Sequence, residues 1–262
     1  MKEIWRVVGE HILSVPESGC PVCGRTAIKE SEKQWPKVGE GQSRYAPLCS
    51  ACITAYICPG LKRCTACGKL ITYDQEATIC QDCRKGKGPQ SLDKVTALGA
   101  YSGEWKELIW RIKFQAQPRL MADLRTPLIH WVTEELSLPD GIVPVPMHRD
   151  RLAERGFNQA EVLGSLLHWS LGIPILPGLE RICPTISQVS LSRAERLQNL
   201  KMAFAVTGGT WNHKTIWLVD DVTTTGATLE ACAEVLKAAG AERVECFCLA
   251  SGLEKTLVSG GI

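Results

Sequence analysis

No apolar run in this 262-residue chain approaches the ~18 residues that a membrane-spanning helix requires. An apolar signal-peptide core is also missing, because the first twenty residues carry Lys2, Glu3, Arg6, Glu10 and Glu17. These absences exclude an integral membrane protein, point away from secretion and lead us to expect a cytoplasmic one. Charge of one sign is lacking too. Thirty Lys and Arg face 28 Asp and Glu, a formal net charge of +2. Bulk charge therefore does not hold this chain to nucleic acid, although local basic patches are compatible with that balance. No internal repeat of fold size is visible. What is present is ordinary globular material, with 45% hydrophobic and 22% charged residues. That suffices for a core and does not describe a disordered tail.

Cysteine is abundant, and its placement is informative. Of thirteen cysteines, eight form four C-x-x-C pairs before residue 84, while Cys58, Cys183, Cys232, Cys246 and Cys248 are scattered. A disulfide-stapled secreted domain would be short and would carry a signal. Neither holds here, so reduced thiolates binding a metal are the better reading. The first set is Cys20, Cys23, Cys49 and Cys52, and the second is Cys64, Cys67, Cys80 and Cys83. Each set opens with C-x-x-C-G, where Gly24 or Gly68 relieves the tight turn that aims two sulfurs at one metal. Four thiolates at these spacings suit tetrahedral structural zinc. An iron–sulfur cluster fits less well, because no ferredoxin-type run is present. Sequential pairing would give two zinc ribbons and interleaved pairing a cross-braced site. The repeat of C-x-x-C-G ahead of its own partner pair favours the sequential arrangement. The five scattered cysteines read as core packing.

The cysteines also divide the chain. Residues 1–90 form a cysteine-rich, zinc-ribbon-like module, and Lys85 to Gln90 (KGKGPQ) reads as a linker. Residues 91–262 alternate strands and helices. Strands are expected at Val95–Tyr101, Gly141–Pro146, Thr215–Val219 and Arg243–Ala250. Helices are expected at Glu104–Phe114, Leu120–Leu136, Asn158–Leu171 with Asn158 as its cap, Ser192–Ala203, and Thr225–Ala239 ended by Gly240. Leu108, Ile109, Ile112 and Trp105 share one face of the first of these. Such alternation predicts an α/β fold, a parallel sheet covered by helices on both faces.

The most informative stretch is Ile216 to Thr228, IWLVDDVTTTGAT. A hydrophobic strand runs into Asp220 and Asp221, and a threonine-rich turn with Gly226 then opens a helix. Free backbone N–H groups at a helix N-terminus, with threonine hydroxyls, suit a phosphate dianion. Gly226 lets the backbone approach the ligand. Carboxylates at the C-terminal edge of a parallel sheet can accept hydrogen bonds from ribose hydroxyls or from water around a metal. An ordinary acidic helix cap is the bland alternative, and the length of the pattern argues against it.

This segment resembles the phosphoribosyl-pyrophosphate (PRPP) motif of type I phosphoribosyltransferases. Val143 to Ala160, VPVPMHRDRLAERGFNQA, resembles a signature of the ComF/ComFC family. Gln188, Arg193, Arg196, Asn199, Leu200 and Phe204 match a further segment of that family. The resemblance spans about Cys20 to Ala250 and implies a type I phosphoribosyltransferase-like sheet behind the zinc module. It implies that Asp220 and Asp221 hold the ribose hydroxyls. It also implies that Thr223, Thr224, Thr225, Gly226, Ala227 and Thr228 form the 5-phosphate loop. Pro146, Met147, His148 and Arg149 would occupy the pyrophosphate-loop position, and magnesium would bridge PRPP oxygens while keeping most of its waters. Arg181, Arg193 and Arg196, in the region of a mobile loop, would meet the pyrophosphate.

Two functions compete, ahead of a third and weaker reading, a structural interaction protein with a vestigial transferase fold, which the retention of Asp220, Asp221 and the threonines argues against. One is a magnesium-dependent phosphoribosyltransferase in DNA uptake or nucleotide metabolism. The other is a non-catalytic PRPP sensor that contacts single-stranded DNA or a helicase-like competence partner. No residue pattern marks a catalytic base or a base-recognising segment, which leaves the acceptor open. Arg149, Arg151 and Arg155 also read as solvated surface, and His148 as structural. Trp35 and Trp105 read as packing residues before base-stacking ones.

Overall fold

The computed structural model describes residues 62–71, 76–115, 120–121, 124–182 and 202–253. A short helix, α1 (Gln81–Arg84), precedes strand β1 (Lys94–Ala100) and helix α2 (Gly103–Phe114). Helix α3 (Arg125–Glu135), strand β2 (Gly141–Pro144), helix α4 (Arg149–Arg155) and helix α5 (Gln159–Leu171) follow. Then come β3 (Leu179–Arg181), β4 (Phe204–Val206), β5 (Thr215–Thr223), α6 (Ala227–Ala238) and β6 (Arg243–Ser251). The main sheet has the order β1-β6-β5-β2, with every neighbour parallel. β3 and β4 pair antiparallel in a separate two-stranded sheet.

A sheet buried on both faces needs strands that are apolar at odd and even positions alike. β5 shows how this works. Trp217 and Val219 join Phe247 and Leu249 under α2, α3 and α5 in one core, with Trp105, Leu108, Ile109, Ile112, Leu128, Val132, Leu163 and Leu167. Ile216 and Leu218 join Val143, Val244, Cys246 and Cys248 on the other face. There they meet Leu229, Cys232 and Leu236 of α6, with Leu179 and Phe204 of the small sheet. The buried Trp105, Leu108, Ile109 and Ile112 of α2 follow the expected spacing, and Trp105 is a core residue at 3% exposure. Cys232, Cys246 and Cys248 are buried, as the packing reading expects.

The parallel α/β architecture and most element positions agree with the sequence reading. The differences are local. β5 does not stop at Val219 but runs through both aspartates to Thr223, because Val222 and Thr223 still pair with Ala250 and Ser251 of β6. α6 accordingly starts at Ala227, behind Gly226 in the left-handed conformation (φ 76°). The helix expected at Leu120–Leu136 is interrupted by a turn at Leu124 and resumes at Arg125. α4 and the β3–β4 pair were not expected, being too short for periodicity to reveal. Cys20, Cys23, Cys49, Cys52, Trp35, Gln188, Arg193 and Arg196 lie outside the described residues, as does most of the helix expected at Ser192–Ala203. Among the described residues, no helix is long and apolar enough to cross a membrane.

Gly99 permits the α2 packing. A Cβ added there would fall 1.7 Å from Nε1 of Trp105. We therefore expect Gly99→Ala to displace the indole and to destabilise the protein by about 3 kcal/mol, the upper end for overpacking. A urea midpoint within error of wild type would contradict this.

Candidate functional site

The C-terminal edge of β5 gathers some of the groups the sequence singled out. Asp220, Thr223, Thr224, Thr225, Gly226, Ala227 and Thr228, together with Val222 and Leu229, line one open cleft. Its floor is the β5–α6 turn. Gly226 supplies the positive φ that a residue with a Cβ rarely adopts. The Ala227 N–H donates to Thr225 Oγ1 at 3.4 Å, a long contact that leaves the first-turn amides of the 12-residue α6 open to an anion.

Consecutive residues of a strand point to opposite faces, and the two aspartates follow that rule. Asp221 is 5% exposed and faces the α2 side. There Lys113, in the last turn of α2, brings its ammonium to 2.8 Å from Asp221 Oδ2. The contact is an ion pair by distance, although its angles are not those of an aligned hydrogen bond. Asp220 turns to the other face, with Cys248 beside it in register on β6. Its Oδ1 accepts from the Asp221 N–H at 2.8 Å. Burial, and then the negative charge of Asp221, push the Asp220 carboxyl up to about 8, against the opposing pull of the Asp221 N–H and of Lys113. The pair thus divides its roles in the free protein. Asp221 is ion-paired with a lysine, while the Asp220 carboxyl is raised above the usual carboxylate range.

Arg181 ends β3 on the Asp220 side, with its guanidinium 5.5 Å from the centre of the Phe204 ring. Burial and the nearby Arg151 lower its pKa, and Asp220 acts in the opposite sense. Arg149 lies away from any partner cluster, its side chain 91% exposed and 3.8 Å from Asp150. Met147 is half-buried. His148 is buried and caps α4, its Nδ1 accepting from the Asp150 N–H at 3.3 Å. Behind this segment, Asn158 donates to Val145 O at 3.0 Å and caps α5 through the Ala160 N–H. Arg155 places its guanidinium over the Phe114 ring at 5.2 Å and bonds Gln159. That contact fixes the end of α2 next to Lys113. Lys113 is the residue that sequence reasoning missed. It occupies a polar position of an amphipathic helix, and nothing local distinguishes it from a solvated lysine.

The second cysteine set forms a separate centre. The Sγ atoms of Cys64, Cys67, Cys80 and Cys83 all lie within 4.8 Å of one another, and those of Cys67 and Cys80 are 3.6 Å apart. A tetrahedral zinc with bonds of about 2.3 Å spaces its sulfurs by roughly 3.8 Å, so the cluster could hold a metal ion such as zinc. This gathers the second set as sequential pairing requires. The knuckle is closed by Gly68 N–H to Cys64 O and Cys64 N–H to Lys69 O, each 2.8 Å. A hydrogen bond from Cys67 lowers the Cys64 thiol to about 4 and favours its thiolate.

Two expectations follow from the aspartates. Lys113→Met leaves a buried carboxylate uncompensated and should cost about 3 kcal/mol. Adding Asp221→Asn should recover most of that loss. Additive losses in a denaturant double-mutant cycle would refute the coupling. For Asp220, the folded pKa lies above the unfolded value. The stability it contributes is therefore full below about pH 4 and is lost as pH rises through about 8. Asp220→Asn should stabilise the ligand-free protein at pH 9 relative to wild type and remove that part of the pH slope. A Tm at pH 9 equal to or below wild type would count against the assignment.

Comparison with known proteins is consistent with this arrangement. Residues 209–260 match the phosphoribosyl transferase domain family, a span that contains β5, the threonine turn, α6 and β6. Competence protein F of Haemophilus influenzae is 36% identical over 211 residues, covering 78% of this chain and 90% of that protein. Competence protein ComFC of Streptococcus pneumoniae is 32% identical over 208 residues, covering 77% and 86%. DNA utilization protein YhgH of Salmonella typhimurium is 30% identical over 208 residues, covering 77% and 89%. With a parallel sheet of the phosphoribosyltransferase type, a four-cysteine cluster ahead of it and this degree of identity over most of its length, the chain belongs to the ComF/ComFC family.

Proposed function

We propose that the protein binds PRPP with magnesium at the C-terminal edge of β5 and acts in DNA uptake. One observation carries the ligand half of this reading: a single cleft joins an acidic strand end, four threonines and the amides of a helix N-terminus. That combination matches a ribose on one side and its 5-phosphate on the other. In this reading Asp220 and Asp221 take the ribose hydroxyls. Thr223, Thr224, Thr225, Gly226, Ala227 and Thr228 hold the phosphate. Met147, His148 and Arg149 lie along the pyrophosphate, and Arg181, with Arg193 and Arg196, supplies cationic partners to it. Magnesium would neutralise the pyrophosphate oxygens. The residues that offer it ligands directly are few, which suits an ion that retains water.

The names of the relatives, competence and DNA utilization, support the process. A cytoplasmic location, single-stranded DNA and a helicase-like competence partner fit that process. We assign residues 1–90 to a zinc-binding module and 91–262 to the transferase-like domain. Whether PRPP is turned over as a donor or sensed as a ligand divides two readings.

Calorimetric titration of magnesium–PRPP into the metal-loaded protein should give saturable binding. Asp220→Asn and Asp221→Asn should each weaken it about 10- to 100-fold, the loss expected for a hydrogen bond to a charged group. A folded protein that shows no heat of binding would remove the reading. Pyrophosphate release in the presence of bases or single-stranded DNA would select the transferase over the sensor.

A further inference from the structure

We propose that the Cys64–Cys67–Cys80–Cys83 cluster is a positioning element for the phosphate loop, so that its metal occupancy sets the affinity of that loop for a phosphate monoester. The ligand side of this inference rests on the function proposed above; the structural side does not.

Two separate chains of contact join the two sites. The first leaves the cluster at Cys83. Gly88 lies so close that an added Cβ would meet Cys83 Sγ at 2.3 Å. The next residue, Pro89, sets its ring beside Gly226, the cap of α6, with Cδ and Cγ 3.9 Å from where a Cβ would stand. Two residues on, the Ser91 N–H donates to both carboxylate oxygens of Glu230, at 2.8 and 3.0 Å, in the first turn of α6. This bond also occupies an acid that would otherwise face an anion at the helix N-terminus. The segment 85–90, which reads in sequence as a linker, is therefore the strap that connects the cluster to the cap.

The second chain leaves from the other knuckle. Ser251, fully buried at the end of β6, donates its hydroxyl to Gly68 O at 2.5 Å. The Leu70 N–H donates to Gly252 O at 3.3 Å. The Gly252 N–H in turn donates to Thr223 O at 2.8 Å, and a Cβ added at Gly252 would stand 3.4 Å from Thr224 O. Each C-x-x-C knuckle thus holds a different side of the 223–226 turn. A metal bound by all four sulfurs locks the two knuckles to each other and closes the clamp.

The turn needs such support. Thr224 and Thr225 are exposed, so little apolar burial restrains them. An anion site built from backbone amides works only when those amides already converge, because ordering them on binding subtracts from affinity. Coupling between two sites through a shared rigid element commonly amounts to ~5- to 150-fold in affinity.

The test compares zinc-loaded wild type with Cys83→Ser, which removes one ligand. Zinc content, calorimetric Kd for magnesium–PRPP and for ribose 5-phosphate, and amide exchange are read together. We expect Cys83→Ser to lose zinc and to bind both ligands about tenfold more weakly. The amides of 223–229 should exchange faster while those of α5, remote from the cluster, keep their protection. A zinc-free variant with unchanged affinities and unchanged exchange at 223–229 would overturn the proposal. If Cys83→Ser also loses α5 protection, Gly88→Ala decides, since it retains all four sulfurs while its Cβ presses on Cys83 where the strap leaves the cluster. Zinc-loaded Gly88→Ala with several-fold weaker ribose 5-phosphate binding supports the proposal, and wild-type affinity overturns it. If wild type binds neither ligand, the function proposed above fails, and the exchange data, which require no ligand, still decide whether the cluster holds the loop.

Discussion

Two adjacent carboxylates at the end of a strand buried on both faces are the constraint around which this protein is built. An acid at that position must be paired, protonated or solvated. Asp221 is paired, and the Asp220 carboxyl is raised above the usual carboxylate range. Alternation along β5 sends Asp221 to the α2 face, where Lys113 meets it at 2.8 Å. It sends Asp220 to the α6 face, where burial and the neighbouring charge raise its pKa to about 8. The position of α2 follows from the same need. Trp105, Leu108, Ile109 and Ile112 bury the helix, and its last turn then lies over the strand end with a lysine to offer.

The other side of the cleft rests on a different economy. In the turn after β5, Thr224 and Thr225 are exposed, so neighbouring segments must hold its geometry. Here β6 and the strap 85–91 contact the turn and the first turn of α6, and the cysteine knuckles in turn contact both. Ser251 and Gly252 are shared between the sheet and the cluster. The cysteine module is thus continuous with the core at the level of individual hydrogen bonds, and Arg63 adds one more, donating to Leu98 O at 2.6 Å. This continuity gives a physical reason for a metal knuckle to accompany a phosphoribosyltransferase-type sheet in one chain.

Much of this could be read from the amino-acid string, for reasons that are short-range. The strands of the main sheet announce themselves as apolar runs, and α2 and α5 as stripes of fixed period, because burial on one or two faces imposes a pattern within ten residues. Asn158 reads as a cap because its side chain bonds a backbone N–H two residues on. Gly226 reads as a turn because the reversal from strand to helix needs a positive φ. C-x-x-C-G reads as a metal knuckle because two sulfurs reach one ion only around that turn. Several of these patterns together also carried the family resemblance.

What could not be read are relations between elements that a chain crossover separates. Lys113 looks like any solvated lysine until the order β1-β6-β5-β2 places the end of α2 over the end of β5. The hydroxyl of Ser251 finds Gly68 O across 183 positions, a distance no periodicity spans. The extent of β5 depends on pairing with β6, so the strand passes through its aspartates instead of ending before them. The upward shift of the Asp220 carboxyl depends on its burial and on the charge of Asp221 beside it. Local pattern is set by the geometry of a helix or strand and is therefore written in neighbouring residues. Partnership and electrostatic environment are set by which faces meet, and that is settled when the sheet closes.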